Sequence, residues 1–154
     1  MTLSLVGRRH VSGACLLLMV HCLSLMGCGN SNRPKTIPVK GTITFGGGPW
    51  PKPGEIYFTC VEPEAGYPRK PGLAQFDTDG AFVVGSFTEK DGLVPGTYRM
   101  SIECWEVRPN MDGIPAKSYL PDKYLNPAEN GLEDVIIKST DGRREITLDI
   151  PIRR

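Results

Sequence analysis

Tyr98, Met100, Ile102 and Cys104 fall on every second position, and Thr97, Arg99, Ser101 and Glu103 fill the positions between them. A strand sends successive side chains to opposite faces, so this stretch has one apolar face and one polar face only if it is extended. The same alternation recurs along the chain. Val39 to Phe45, Ile56 to Val61, Leu73 to Phe76, Phe82 to Phe87, Leu132 to Lys138 and Glu145 to Ile152 each read as a short strand. No segment after residue 37 carries a helical period. Turn formers separate the strands, with 18 glycines and 14 prolines in 154 residues. Seven short strands with such turns predict an all-β fold, a seven-stranded β-sandwich, with a small β-barrel as the alternative. Two connections are long: residues 62–72, and residues 106–131 with four prolines and no strand pattern. Loops of that length are uncommon in compact domains unless they are functional or mobile.

The N-terminus follows a different rule. Arg8, Arg9 and His10 precede an apolar run from Ala14 to Met26 that is broken only by His21 and Ser24. A charged start and a short apolar core make a secretory signal. The run is too short to span a bilayer, which needs roughly 20 residues. It ends in Leu25-Met26-Gly27-Cys28, which resembles the lipobox of bacterial lipoproteins, although Met26 is bulkier than the usual residue there. The resemblance implies cleavage before Cys28, which becomes the new N-terminus and carries a thioether-linked diacylglycerol with fatty chains of the palmitate class. Membrane lipid is then the first partner, because two or more chains anchor stably. The expected organisation is a signal peptide over 1–27, a lipidated tether over 28–36 and a β domain over 37–154. Gly29 stands where some bacteria place an inner-membrane retention aspartate, which points to the outer membrane over the inner. The domain then faces the periplasm or the cell surface.

Cleavage also changes the chemistry available. The only histidines, His10 and His21, leave with the signal, so no Ser-His-Asp or Cys-His arrangement can form from the rest. The imidazole metal ligand goes too, and no cofactor or metal site is expected. Loss of Arg8 and Arg9 leaves 16 basic residues against 17 acidic ones. A nucleic-acid binder would carry a basic excess, so that class is not expected.

Several turn motifs stand in a recognisable order. Val39-Lys40-Gly41-Thr42-Ile43 opens the series, followed by Pro53-Gly54-Glu55-Ile56-Tyr57-Phe58 and Asp77-Thr78-Asp79-Gly80-Ala81-Phe82. Val94-Pro95-Gly96-Thr97-Tyr98 comes next, then Pro121-Asp122-Lys123-Tyr124 with Gly131-Leu132. In this order they resemble the carboxypeptidase-regulatory-like, transthyretin-like β-sandwich domains, and among these the small bacterial lipoproteins with one such domain. The resemblance covers most of residues 38–152. It implies a transthyretin-like or Ig-like sandwich and a module that is commonly non-catalytic.

The candidate site residues follow. Cys60 and Cys104 both fall on inward faces and are either a disulfide or two separate buried thiols. Asp77 and Asp79 are the start of a calcium loop or, since no bidentate acid follows at the right spacing, a turn. Trp50, Trp105, Tyr67, Tyr119 and Tyr124 lie off the inward faces and either cap the sandwich or bind a ligand. Trp105, Tyr119 and Tyr124 are the binding candidates, with Leu120 and Leu125 in the same 106–131 loop. Glu62, Glu64, Glu103 and Glu106 are candidates for a catalytic carboxylate pair, but no spacing singles out two of them. The expected function is that of a non-enzymatic envelope lipoprotein binding an envelope protein or a cell-wall polysaccharide. The alternatives are a carbohydrate-binding module and a small hydrolase. The hydrolase lacks the histidines that transthyretin-like enzymes use on cyclic ureides.

Overall fold

A computed structural model describes residues 33–152, nearly all within one compact unit, Pro34–Arg154. Residues 1–27, expected as a signal peptide, and Cys28 lie outside the described residues.

The domain is all-β. Its strands are β1 (Val39–Phe45), β2 (Gly54–Pro63), β3 (Gly72–Phe76), β4 (Ala81–Val83), β5 (Gly96–Glu103), β6 (Trp105–Val107), β7 (Lys117–Ser118), β8 (Val135–Ile137) and β9 (Arg144–Ile150). Seven of them form one mixed sheet in the order β8-β5-β2-β3-β4-β1-β9, and β6 and β7 form a separate hairpin. All neighbours in the large sheet are antiparallel except β1 and β9, which run parallel over seven residue pairs. These seven strands are the seven that the alternation predicts.

The sheet bends between β3 and β4. Their ladder has one pair, Phe76 with Phe82, plus an isolated bridge between Leu73 and Gly85. The bend turns two halves toward each other. Ile56, Phe58, Ala74, Tyr98, Met100 and Ile102 from one half are buried with Val39, Ile43, Phe82, Ile146 and Ile150 from the other. Phe58 and Phe82 meet across the gap at 6.5 Å between ring centroids. This is a sandwich made from one folded sheet, with an interior packed by alternate residues.

Local chemistry explains the turns. Gly80 has φ +76°, and a Cβ there would collide with the carbonyl oxygen of Ile43. The Asp77–Gly80 segment is therefore a structural turn, closed by Gly80 N–H to Asp77 O and by Ala81 N–H to Asp79 Oδ1. Tyr98 in the Pro-Gly-x-Tyr motif is fully buried, and its hydroxyl donates to Val94 O at 2.7 Å.

Two strands are shorter than the alternation suggests. The fourth ends at Val83 because Ser86, Phe87 and Thr88 turn away and donate their N–H groups to the Asp91 carboxylate. The sixth starts only at Val135, since Leu132 N–H is taken by Asn130 Oδ1.

The strands run between two ends. The proximal end holds residues 34–38, where the chain enters, and the loops 64–71, 84–95 and 138–143. The distal end holds residues 46–53, 77–80 and 104–129, from which 130–134 run back along β5 to β8, and the chain leaves β9 at the same end.

Candidate functional site

The distal end carries the long connection, which is not featureless. Trp105 and Val107 pair with Ser118 and Lys117 as the β6–β7 hairpin. Polar links set the hairpin base against the sheet. Lys52 Nζ donates to Glu106 O at 3.1 Å and Arg108 reaches Glu55 at 3.3 Å, while Lys117 Nζ meets Glu106 Oε2 at 2.7 Å across the hairpin itself.

After the hairpin the chain returns to the core. Tyr119 N–H donates to Cys104 O, and Leu120 is buried. A 3-10 turn, Asp122–Leu125, then buries Tyr124 against the core cluster. Asn130 is buried and donates its side-chain amide to Met100 O.

These placements correct part of the aromatic expectation. Tyr124 is 3 % exposed, so it serves packing and offers no face to a ligand. Lys123 lies over its ring at 4.8 Å. Tyr119 is partly buried against the same core. Trp50 is also core, stacked on Phe45 and tilted on Phe76, with its indole N–H donated to Ile43 O. Trp105 is half-buried and spends its N–H on Glu103 Oε2 at 2.9 Å. The three binding candidates therefore do not share a stacking surface.

The disulfide alternative is also corrected. Cys60 and Cys104 are both buried and both free. Cys60 pairs with Tyr98, whereas Glu103, next to Cys104, pairs with Glu55. The thiols thus sit at opposite ends of the β2–β5 pair, roughly 20 Å apart at about 3.4 Å per residue. A bridge requires Cα atoms within about 7 Å. Burial pushes the Cys104 thiol up, and its S–H donates to Lys52 O at 3.4 Å.

The carboxylates do not gather either. Glu62 and Glu64 lie near the proximal end and Glu103 and Glu106 at the distal end. Glu64 accepts both the N–H and the hydroxyl of Ser139, which hold its carboxyl below the ordinary range. Glu55 and Glu103 do sit directly opposite each other on β2 and β5. Like charges there are unfavourable unless neutralised. Arg108 and the Tyr57 hydroxyl engage Glu55, and Trp105 engages Glu103. The Glu55 carboxylate, accepting at 2.6 Å, pushes the Tyr57 phenol up to about 12, with burial as the next cause.

An open groove of about 1150 Å³ crosses the outer face of β1, β4, β3 and β2. Thr42, Leu73, Gln75 and Val83 line it, and its aromatic residues are the buried Phe76 and Phe82 and the half-buried Phe87. Sugar rings bind best on exposed aromatic faces, so the groove does not supply a stacking platform.

What the distal end does display is the hairpin tip. Residues 108–117 are all exposed. Met111 is 102 % exposed and Ile114 57 %, and they project from a turn built by local chemistry. Asn110 Oδ1 accepts from Asp112 N–H, and Gly113 takes φ +75°. Pro109 and Pro115 flank the turn with fixed φ and no N–H donors. No sequence signal beyond the apolar pair between prolines marks this tip, and the aromatic residues nearby divert attention from it.

No protein family, curated protein or solved structure matches the chain.

Proposed function

We propose that this protein is a lipid-anchored envelope lipoprotein whose β domain is a non-catalytic interaction module, and that it meets an envelope protein through the distal hairpin tip. The anchor reading rests on Leu25-Met26-Gly27-Cys28 at the end of a short apolar run. The likeness of its turn motifs to transthyretin-like lipoprotein domains agrees with it. The observation that carries the contact surface is Met111 with Ile114, two apolar side chains held out to solvent by a pinned turn. Solvent exposure of such a pair is unfavourable, and a preorganised turn loses little entropy on binding. Asp112 stands between them, and neighbouring Arg108 and Lys117 are paired to carboxylates. That charge pattern suits a protein cleft with a basic rim better than an anionic bilayer.

Two measurements test this. Intact mass from the membrane fraction should give residues 28–154 plus acyl chains, and an unmodified soluble chain would overturn the anchor. A photoreactive residue in place of Met111 should give one discrete protein adduct in cells. That adduct should disappear when Ile114→Ser is added and should not form from position 147 on β9. Equal adducts from both positions, lipid adducts alone or captured glycan would overturn the hairpin as a protein contact.

A further inference from the structure

The topology gathers charges that are scattered in the sequence. Lys35, Arg69, Lys70, Lys90, Lys138 and Arg143 come from four separate segments, and all four lie at the proximal end, where the chain enters. Four acidic residues share those segments, with the exposed Glu62 beside them at the end of β2, and three of the four are turned into the loops. Asp91 accepts from Ser86, Phe87 and Thr88, Asp141 from Lys138 N–H, and Glu64 from Ser139. The basic groups are mostly exposed, although Arg69 donates to Cys60 O and Lys70 lies over the Phe87 ring. The distal segments 46–53, 77–80 and 104–129 hold six acidic and four basic residues, Glu55, Glu103 and Asp149 stand at the distal ends of β2, β5 and β9, and the sequence after β9 adds Arg153 and Arg154. A chain that is nearly neutral in total is therefore polar along its length, basic where the chain enters and acidic at the far end.

We infer that the proximal end of the domain lies on an anionic lipid surface, with the distal hairpin displayed away from it. This rests on the lipid anchor at Cys28 proposed above. Two independent features select lipid as the occupant. First, residues 29–36 separate Cys28 from Ile37, at the start of the domain. Eight residues reach about 28 Å when fully extended and average roughly 16 Å when flexible, so a membrane holding the anchor cannot be far from this end. Second, the charge complements anionic headgroups, whose field decays within about 8 Å at physiological salt. The distal end stands beyond the reach of that field when the domain is upright, and tipping would bring its acidic groups into it, so both ends favour the upright orientation.

The test uses the lipidated full-length protein in vesicles of phosphatidylcholine alone and of phosphatidylcholine with phosphatidylglycerol. Flotation with the neutral vesicles depends on the acyl chains and reports on the anchor by itself. Hydrogen exchange then reports orientation. Amides in residues 85–91 and 138–143 should exchange several-fold more slowly on the anionic vesicles, those in 108–117 should be unchanged, and high salt should abolish the difference. A variant with Lys35, Lys90, Lys138 and Arg143 changed to Gln should float equally well and lose the slowing. The double variant Lys90→Gln/Arg143→Gln should lose part of it and serves if the fourfold change does not fold. Equal exchange on both vesicles, protection of the hairpin, or slowing that survives high salt would overturn the inference while leaving the anchor intact. Failure to float on neutral vesicles would instead remove the anchor on which it rests.

Discussion

Two tyrosines three residues or fewer from a glutamate or a proline-glycine turn illustrate how a phenol is accommodated. Tyr98 is fully enclosed, and its hydroxyl is tolerated because Val94 O accepts it. Burial, with Cys60 beside it, holds its phenol far above the ordinary range. Tyr57 lies on the outer face, where the acceptor is a carboxylate, and its phenol rises to about 12 from an ordinary 10. A raised folded value means that the bond to Glu55 stabilises the fold fully below pH 10. That contribution is lost as pH rises through about 12. The melting temperature of the intact protein should therefore fall more steeply between pH 10 and 12 than that of Tyr57→Phe, and parallel curves would remove the bond as a stabilising contact. The residue scale also shows what alternation leaves out. It placed Cys60 and Cys104 on inward faces correctly, because parity depends only on counting by twos. Their separation along the strands depends on the register of β2 against β5, and no local pattern encodes that.

Strands and turns were more legible than loops, for a related reason. Each strand of the large sheet buries one face, so its apolar residues must alternate, and a turn such as Asp77–Gly80 must carry a residue that accepts positive φ. That turn makes a specific demand. Gly80→Ala introduces a left-handed non-glycine residue, costing about 1–2 kcal/mol, and adds a collision with Ile43 O. It should lower stability by about 2 kcal/mol or more in chemical denaturation. A change within about 0.5 kcal/mol, typical of an unconstrained surface site, would show that the β3–β4 turn yields easily. The 106–131 connection hid its elements because they follow other rules. β6 and β7 are three and two residues long, too short for a period to register. Tyr124 is buried through a 3-10 turn, which sends its side chain inward without any alternation. An aromatic residue on a loop therefore carried no signal that distinguished core from surface.

At the scale of the molecule, the sheet order ranks the elements by how firmly they are held. β2 and β5 are interior strands, each paired on both sides, and they contribute Ile56, Phe58, Tyr98, Met100 and Ile102 to the core. β8 is an edge of three residues. β6 and β7 form a ladder of their own, with an exposed tip beyond it. Opening a segment costs in proportion to the apolar area and hydrogen bonds it gives up, so local stabilities within one fold span from near zero to the global value. The hairpin tip can open alone, since residues 108–116 are exposed and lie beyond the β6–β7 ladder. β2 and β5 cannot open without unmaking the core that both halves of the sheet share. Hydrogen exchange on the protein in solution should therefore be slowest at the paired amides of β2 and β5, intermediate at β8, and fast throughout 108–117. This gradient matters for the proposed contact, because a surface free to exchange in isolation can become protected when a partner covers it without any cost to the sheet. Protection of 108–117 as strong as that of β2 in the isolated protein would mean that the tip is already covered, by a second copy or by another part of the chain, and is not available to a partner.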